Sequence, residues 1–239
     1  MSIIFWDFDG TLVYSKSLWT GSVHKALKET DPNTPVTFEQ LKICMSHGFT
    51  WHTPERDYSQ MTGEKWWDFM NLHFYNSYLE CGVPEDIALA AAGKIRGIIK
   101  QTENYHLFDD TLSTLQQMKA WGHTNVLLSN NYPDLDEVVT NLGLAEYFDG
   151  MIVSAVEGYD KPREELYNIA KKRFPGDDCR IYGDCCMGGD CYMVGDNVIA
   201  DIGGGKRAGM KTILVHKGFS EDADYCFDHL SEICSLFAD

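Results

Sequence analysis

The sequence predicts an α/β fold, a doubly wound, Rossmann-like parallel sheet, with an all-α module inserted after its first strand. Three observations predict it. Short, near-continuous apolar runs recur along the chain, as strands buried on both faces of a parallel sheet do. Helical patterns separate them, so strand and helix alternate. One stretch of roughly ninety residues breaks the alternation, with helical periodicity and no clear strand.

The first run is Ile3-Ile4-Phe5-Trp6-Asp7-Phe8, closed by the turn signal Asp9-Gly10-Thr11. Helical patterns follow at 18–29, 38–46, 64–81 and 84–101, and the flanks near 14–16 and 103–107 read as paired linkers. The expected organisation is therefore an α/β core from residues 1–14 and 106–239 and a helical module over 15–105. Within the core, strand patterns at 125–129, 151–154, 192–195 and 212–215 alternate with helical ones at 110–121, 134–142, 163–174 and 200–208. Gly122, Gly143 and Gly209 stand just past three of those helices, where C-terminal caps belong.

Apolar residues make up 44% and charged residues 23%, the proportions of a soluble globular protein, and no apolar run approaches a membrane span. The opening Met-Ser-Ile-Ile-Phe-Trp-Asp has no basic segment and carries an acid at position 7, so no secretory signal is expected. The expected compartment is the cytoplasm, with reduced thiols. Thirty-six acidic against 20 basic residues give a net charge of −16. Such a field repels nucleic-acid backbones, and it repels a small anion unless a cation sits in the site. Cys44, Cys81, Cys226 and Cys234 are isolated in sequence and read as packing residues. Cys179, Cys185, Cys186 and Cys191 cluster without the paired spacing of a zinc site, and read as an irregular loop. No pattern specifies an oligomeric state.

In open α/β sheets ligands bind beyond the carboxyl ends of the strands. There the first strand presents Asp7 and Asp9, the second Ser129 with Asn130-Asn131, the third Lys161-Pro162, and the fourth Gly195-Asp196-Asn197 with Asp201. Four carboxylates on one sheet edge need a cation, and oxygen-only ligands point to Mg²⁺. A carboxylate can attack phosphorus, and a second one two residues on can carry the proton of the leaving oxygen. Ser129 and Lys161 can hold phosphoryl oxygens. Ile181-Tyr182-Gly183-Asp184 imitates the fourth strand end, but Gly189 stands where an acid is needed. Gly203-Gly204-Gly205-Lys206 lacks the Ser or Thr and the upstream glycine of a phosphate loop.

These residues carry a resemblance. Asp7-Phe8-Asp9-Gly10-Thr11-Leu12 resembles the first motif of the haloacid dehalogenase-like superfamily. Ser129 after an apolar strand is similar to its second, Lys161-Pro162 to its third, and Gly195-Asp196-Asn197-Val198-Ile199-Ala200-Asp201 to its fourth. The order is right and the motifs span the core, and the insert resembles the helical cap of one subclass. The resemblance implies that Asp7 is the nucleophile and Asp9 the general acid/base with its carbonyl on Mg²⁺. It implies that Asp196 binds Mg²⁺ with Asp201 in support, and that Ser129, the Asn130 backbone and Lys161 bind phosphate. Halide-removing members lack the second aspartate, so Asp9 argues for phosphoryl transfer. Arg163 departs from the acid often found there.

The expected activity is a Mg²⁺-dependent phosphatase of a small phosphorylated metabolite. A sugar-phosphate mutase, or a silent binding module of the same fold, is the alternative. In the insert, aromatics at helical spacing read as core. Loop 48–56 is non-periodic and polar, and His52 and Arg56 are its candidate substrate contacts.

Overall fold

The computed structural model describes residues 1–175 and 191–238. Its centre is β1 (Ile3–Trp6), buried at every residue, as its unbroken apolar sequence requires. Five strands join it in one parallel sheet: β4 (Thr124–Ser129), β5 (Gly150–Val153), β6 (Cys191–Gly195), β7 (Lys211–Val215) and β8 (Tyr225–Phe227). The order is β5-β4-β1-β6-β7-β8, and Trp6 stands opposite Leu127 on one side and Val194 on the other. The chain leaves β1 toward β4 and β5, then returns to its other side for β6 to β8. The connections therefore reverse at β1, and a crevice opens beyond its carboxyl end.

Side chains of β1 alternate between the two faces. Ile4 and Trp6 join an apolar cluster with α5 (Thr111–Ala120), α6 (Leu135–Asn141) and the C-terminal turn Leu230–Leu236. Ile3 and Phe5 point the other way, into a cluster with Leu166, Tyr167 and Ala170 of α8 (Glu164–Arg173). The short α7 (Ser154–Glu157) follows β5 directly.

The insert comprises α1 (Leu18–Thr30), α2 (Phe38–Cys44), α3 (Glu64–Glu80) and α4 (Glu85–Ile99). Thr37 and Gln40 form a capping box that starts α2. The Tyr78 hydroxyl donates to the Val23 carbonyl at 2.6 Å and ties α3 to α1. At the base of the insert, β2 (Val13–Tyr14) pairs antiparallel with β3 (His106–Leu107). Further ties run from insert to sheet: Trp67 Nε1 and the Arg96 guanidinium both donate to the Asp134 carboxylate, at 2.9 and 2.8 Å. The Tyr105 and Tyr132 hydroxyls are hydrogen bonded at 2.6 Å. Among the described residues no helix is long and apolar enough to cross a membrane.

The structure adds to or corrects the sequence reading in four places. Strand β8 is three residues long and half-buried, too short to show a pattern. The expected helix at 200–208 starts earlier, as a π-turn over Val198–Gly203. The Asn197 side chain accepts from Ile199 N and Ala200 N and sets the first turn there. The four-residue α9 (Gly204–Arg207) completes it, so the glycine run is part of a packed turn and not a phosphate loop. Cys44 and Cys81, isolated in sequence, meet in the insert with sulfurs 3.5 Å apart, and burial, then Cys81, pushes the Cys44 thiol up to about 12. Cys191 is buried in β6, while Cys179, Cys185, Cys186 and the 181–184 look-alike lie outside the described residues.

Candidate active site

Asp7 extends β1 by one residue. Its amide donates to the Val194 carbonyl at 2.9 Å, which sets its carboxyl at the sheet edge between β4 and β6. The chain then turns sharply: the Phe8 carbonyl accepts from Thr11, Leu12 and Val13, and Gly10 takes φ +86°. A Cβ at Gly10 would lie 2.4 Å from Asp196 Oδ2, so both the turn and the acid beside it require glycine. Gly195 is constrained in the same way, because a Cβ there would lie 2.2 Å from Asp201 Cγ. The π-turn after β6 folds Asp201 back under the strand, where its Oδ2 accepts from Asn197 N at 3.0 Å.

Lys161 joins these acids. It is 3% exposed, and its ammonium donates to Asp7 Oδ1 at 2.8 Å, Asp201 Oδ1 at 2.6 Å and the Leu128 carbonyl at 2.8 Å. Asn130 clasps its backbone, with Nδ2 donating to the Lys161 carbonyl and Oδ1 accepting from the Lys161 amide. Asn131 holds the other acid, its Nδ2 donating to Asp9 Oδ2 at 2.7 Å. Asp9 Oδ1 is buried with no hydrogen-bond partner. Carboxylate oxygens of Asp7, Asp196 and Asp201 lie within 4.8 Å of one another. Lys217 reaches Asp196 Oδ2 at 3.2 Å from the loop after β7.

The electrostatics follow from burial and from this crowding. Burial, then the Asp7 charge, pushes the Asp9 carboxyl up to about 7. The same two causes raise Asp196. Burial disfavours the Lys161 ammonium, but Asp201 and Asp7 override it, so the lysine holds its proton more tightly than usual. Burial raises Asp201, and Lys161 pulls it back. Three acids whose oxygens converge, two of them on Lys161 and the third on Lys217, form an all-oxygen donor set that fits a small hard cation.

A cavity of about 640 Å³ opens over this cluster. Asp7, Asp9, Ser129, Asn130, Lys161, Asp196 and Asp201 all line it. His52 and Arg56 do not. Loop 48–56 reaches the cavity through Trp51 and Pro54 instead, because the Trp51 ring stacks on Phe49 at 4.6 Å and turns inward with it. His52 meets the edge of Phe49 at 5.4 Å, and the Arg56 guanidinium lies 5.6 Å from the Tyr58 ring while its carbonyl accepts from Arg163. Sequence reasoning missed Trp19, Trp51, Ser15 and Ser17 as lining residues. The signal for Trp51 was its place in a non-periodic loop; for Ser15, Ser17 and Trp19 it was their place at the entry to the insert.

A family model described as haloacid dehalogenase-like hydrolase matches residues 1–209. A mouse relative, haloacid dehalogenase-like hydrolase domain-containing protein 3, is 24% identical over 180 residues, covering 72% of this chain and 69% of its own. Among solved structures, the HAD-hydrolase YfnB of Bacillus subtilis, bound to magnesium, superposes with a TM-score of 0.72 at 21% identity, over 98% of this chain and 97% of that one. A 2-haloacid dehalogenase of Pseudomonas syringae gives 0.68 at 20% identity, over 99% and 98%. A HAD phosphatase of Thermococcus onnurineus gives 0.66 at 17% identity, over 100% and 98%.

Proposed function

Since the chain belongs to the haloacid dehalogenase-like hydrolase family, we propose that it is a Mg²⁺-dependent phosphatase of a small phosphorylated metabolite, working through an aspartyl-phosphate on Asp7. The fold is shared by phosphatases and dehalogenases alike, so it does not decide the reaction. One observation carries the reading: the second acid, Asp9, is half-buried beside Asp7 in the cavity, oriented through Oδ2 by Asn131, with Oδ1 left without a partner and its carboxyl raised to about 7. A carboxyl group that keeps a proton near neutral pH can donate it to an alkoxide leaving group. A departing halide needs no proton.

Lys161 fixes one oxygen of Asp7, and thereby the direction of the other, which attacks phosphorus. As the new O–P bond forms, the bond from phosphorus to the leaving oxygen breaks, and Asp9 transfers its proton to that oxygen. Asp9, now a carboxylate, takes a proton from water. The water oxygen attacks the same phosphorus, and the Asp7 O–P bond breaks to give inorganic phosphate and free Asp7. Ser129, the Asn130 backbone and Lys161 hold the phosphoryl oxygens, since this reaction depends chiefly on positioning and charge neutralisation. The carboxylates of Asp7 and Asp196 and the Asp9 carbonyl would hold Mg²⁺, with Asp201 behind them. When bound, the ion would neutralise the charge that gathers on the phosphoryl oxygens. The insert, residues 15–105, acts as the cap that covers the leaving group and excludes water.

The test is a parallel assay. The protein with Mg²⁺ should release phosphate from alkyl phosphates and no chloride from 2-chloropropionate, and chelator should stop the release. Chloride release without phosphate release would assign it to the other branch of the family.

A further inference from the structure

The pocket restricts what the phosphate is attached to. Resting on the phosphatase reading, we propose that the leaving group is uncharged and flat-faced, an alcohol carrying an aromatic or heteroaromatic ring, and that an alcohol bearing a second anion is rejected. The two ends of the pocket differ in chemistry. On the insert side its wall is built from Leu18, Trp19, Trp51 and Pro54, with Ser15 and Ser17 beside them. Ile199 lines the pocket from the core side, 72% exposed on the turn between Asp196 and Asp201 whose backbone is already fixed by Asn197.

The rings are held in place before any ligand arrives. Trp51 stacks on Phe49 with an interplanar angle of 14° and packs over Trp66 at 6.3 Å. Trp19 lies 4.8 Å from Phe49 and meets Tyr132 edge-on at 5.9 Å. A rigid aromatic wall binds a flat apolar face with little loss of side-chain freedom.

Anion recognition is missing at the same end. Among the described residues that line the pocket, Lys161 is the one cation. Its ammonium sits among Asp7, Asp201 and the Leu128 carbonyl, so whatever it offers an anion it offers at the acidic end, to the phosphoryl group itself. Arg163 is committed to Glu165 and the Arg56 carbonyl, and Lys217 to Asp196. A carboxylate or second phosphate on the leaving group would lose water and gain no cation among the described lining residues, inside a chain of net charge −16.

The experiment compares three esters whose leaving alcohols have similar reactivity: benzyl phosphate, ethyl phosphate and phosphoglycolate. The expected order of kcat/KM is benzyl over ethyl by about tenfold, from ring burial, and ethyl over phosphoglycolate by a further factor of about ten or more. Trp51→Ala, checked for fold by circular dichroism, should remove most of the benzyl advantage and leave the ethyl value within about threefold. Ile199→Lys, at an exposed position, supplies the missing cation and should raise phosphoglycolate relative to benzyl phosphate. Phosphate release from all three wild-type reactions at equal efficiency, or a preference for phosphoglycolate, overturns this inference alone. Release from none of the three overturns the phosphatase reading and this inference with it.

Discussion

The two ends of the pocket are held by different forces, and they tolerate change differently. At the acidic end, Asp7, Lys161 and Asp201 are locked by short charge-assisted hydrogen bonds, and glycine is required at positions 10 and 195. Removing Lys161 there strands two carboxylates, and a side chain at position 10 or 195 meets one. At the aromatic end, Trp19, Trp51, Phe49, Trp66 and Tyr132 pack by area and shape, with no charge to leave stranded. Losses there should be graded. On the proposed function, the acidic end serves the phosphoryl group and the aromatic wall the rest of the molecule.

Lys161→Met sharpens this contrast most. It leaves Asp7 and Asp201 facing each other in a buried site, and removing one partner of a buried ion pair costs about 3–5 kcal/mol. Denaturant unfolding should show that loss, and phosphate release should disappear. A stable, active Lys161→Met protein would mean that the acidic end is as adjustable as the aromatic one.

Asp9→Asn separates chemistry from folding. Turnover should fall by about 10²–10⁴-fold, the usual weight of a positioned proton carrier. The loss should be largest for alkyl esters, whose leaving oxygen needs the proton most, and small for esters of acidic phenols. Equal losses across leaving groups would remove Asp9 from proton transfer.

Trp67→Phe probes the insert–core seam. It keeps one aromatic ring, removes the Nε1 donor to Asp134, which still accepts from Arg96, and leaves the buried space of the lost pyrrole unfilled. A loss of about 1–3 kcal/mol is expected, with activity on ethyl phosphate retained. A collapse of activity would show that the seam, and not only the wall, sets the chemistry.

The smallest effect is one of pH. Burial, then His47, holds the His73 ring below its ordinary pKa. A base whose folded pKa is depressed contributes stability above its unfolded value near 6.5, and loses it as pH falls toward the folded value. Cooling of the melting temperature below about pH 6.5 should therefore be steeper in the wild type than in His73→Phe. Parallel curves would show that protonating His73 costs the aromatic end nothing.

The same division explains what the sequence showed. Asp7, Asp9, Ser129, Lys161, Asp196 and Asp201 were legible as a group because each follows an apolar run, and the ends of parallel strands meet on one edge. The four helices of the insert were legible from periodicity, within one or two residues at most ends. Trp19 and Trp51 were not, because an aromatic that packs and one that lines a wall look alike until tertiary contacts turn one face to the cavity. His52 and Arg56 lie off the cavity wall: polar side chains in a loop suggest contact, but here the stacked Phe49 and Trp51 put Trp51 at the wall. Lys217 follows a strand by only two positions, yet the lysine at 161 drew the reading because proline follows it. The Cys44–Cys81 contact joins residues far apart in sequence that no spacing rule connects.

The measurement closest to the central claim is a chemical quench. The protein is mixed with benzyl phosphate and Mg²⁺, stopped in acid within the first turnovers, and examined by peptide mass spectrometry. One added phosphoryl group is expected on the peptide carrying Asp7, lost on treatment with hydroxylamine and absent from Asp7→Asn. A phosphoryl group on any other residue, or phosphate release by Asp7→Asn within about tenfold of the wild type, would contradict it.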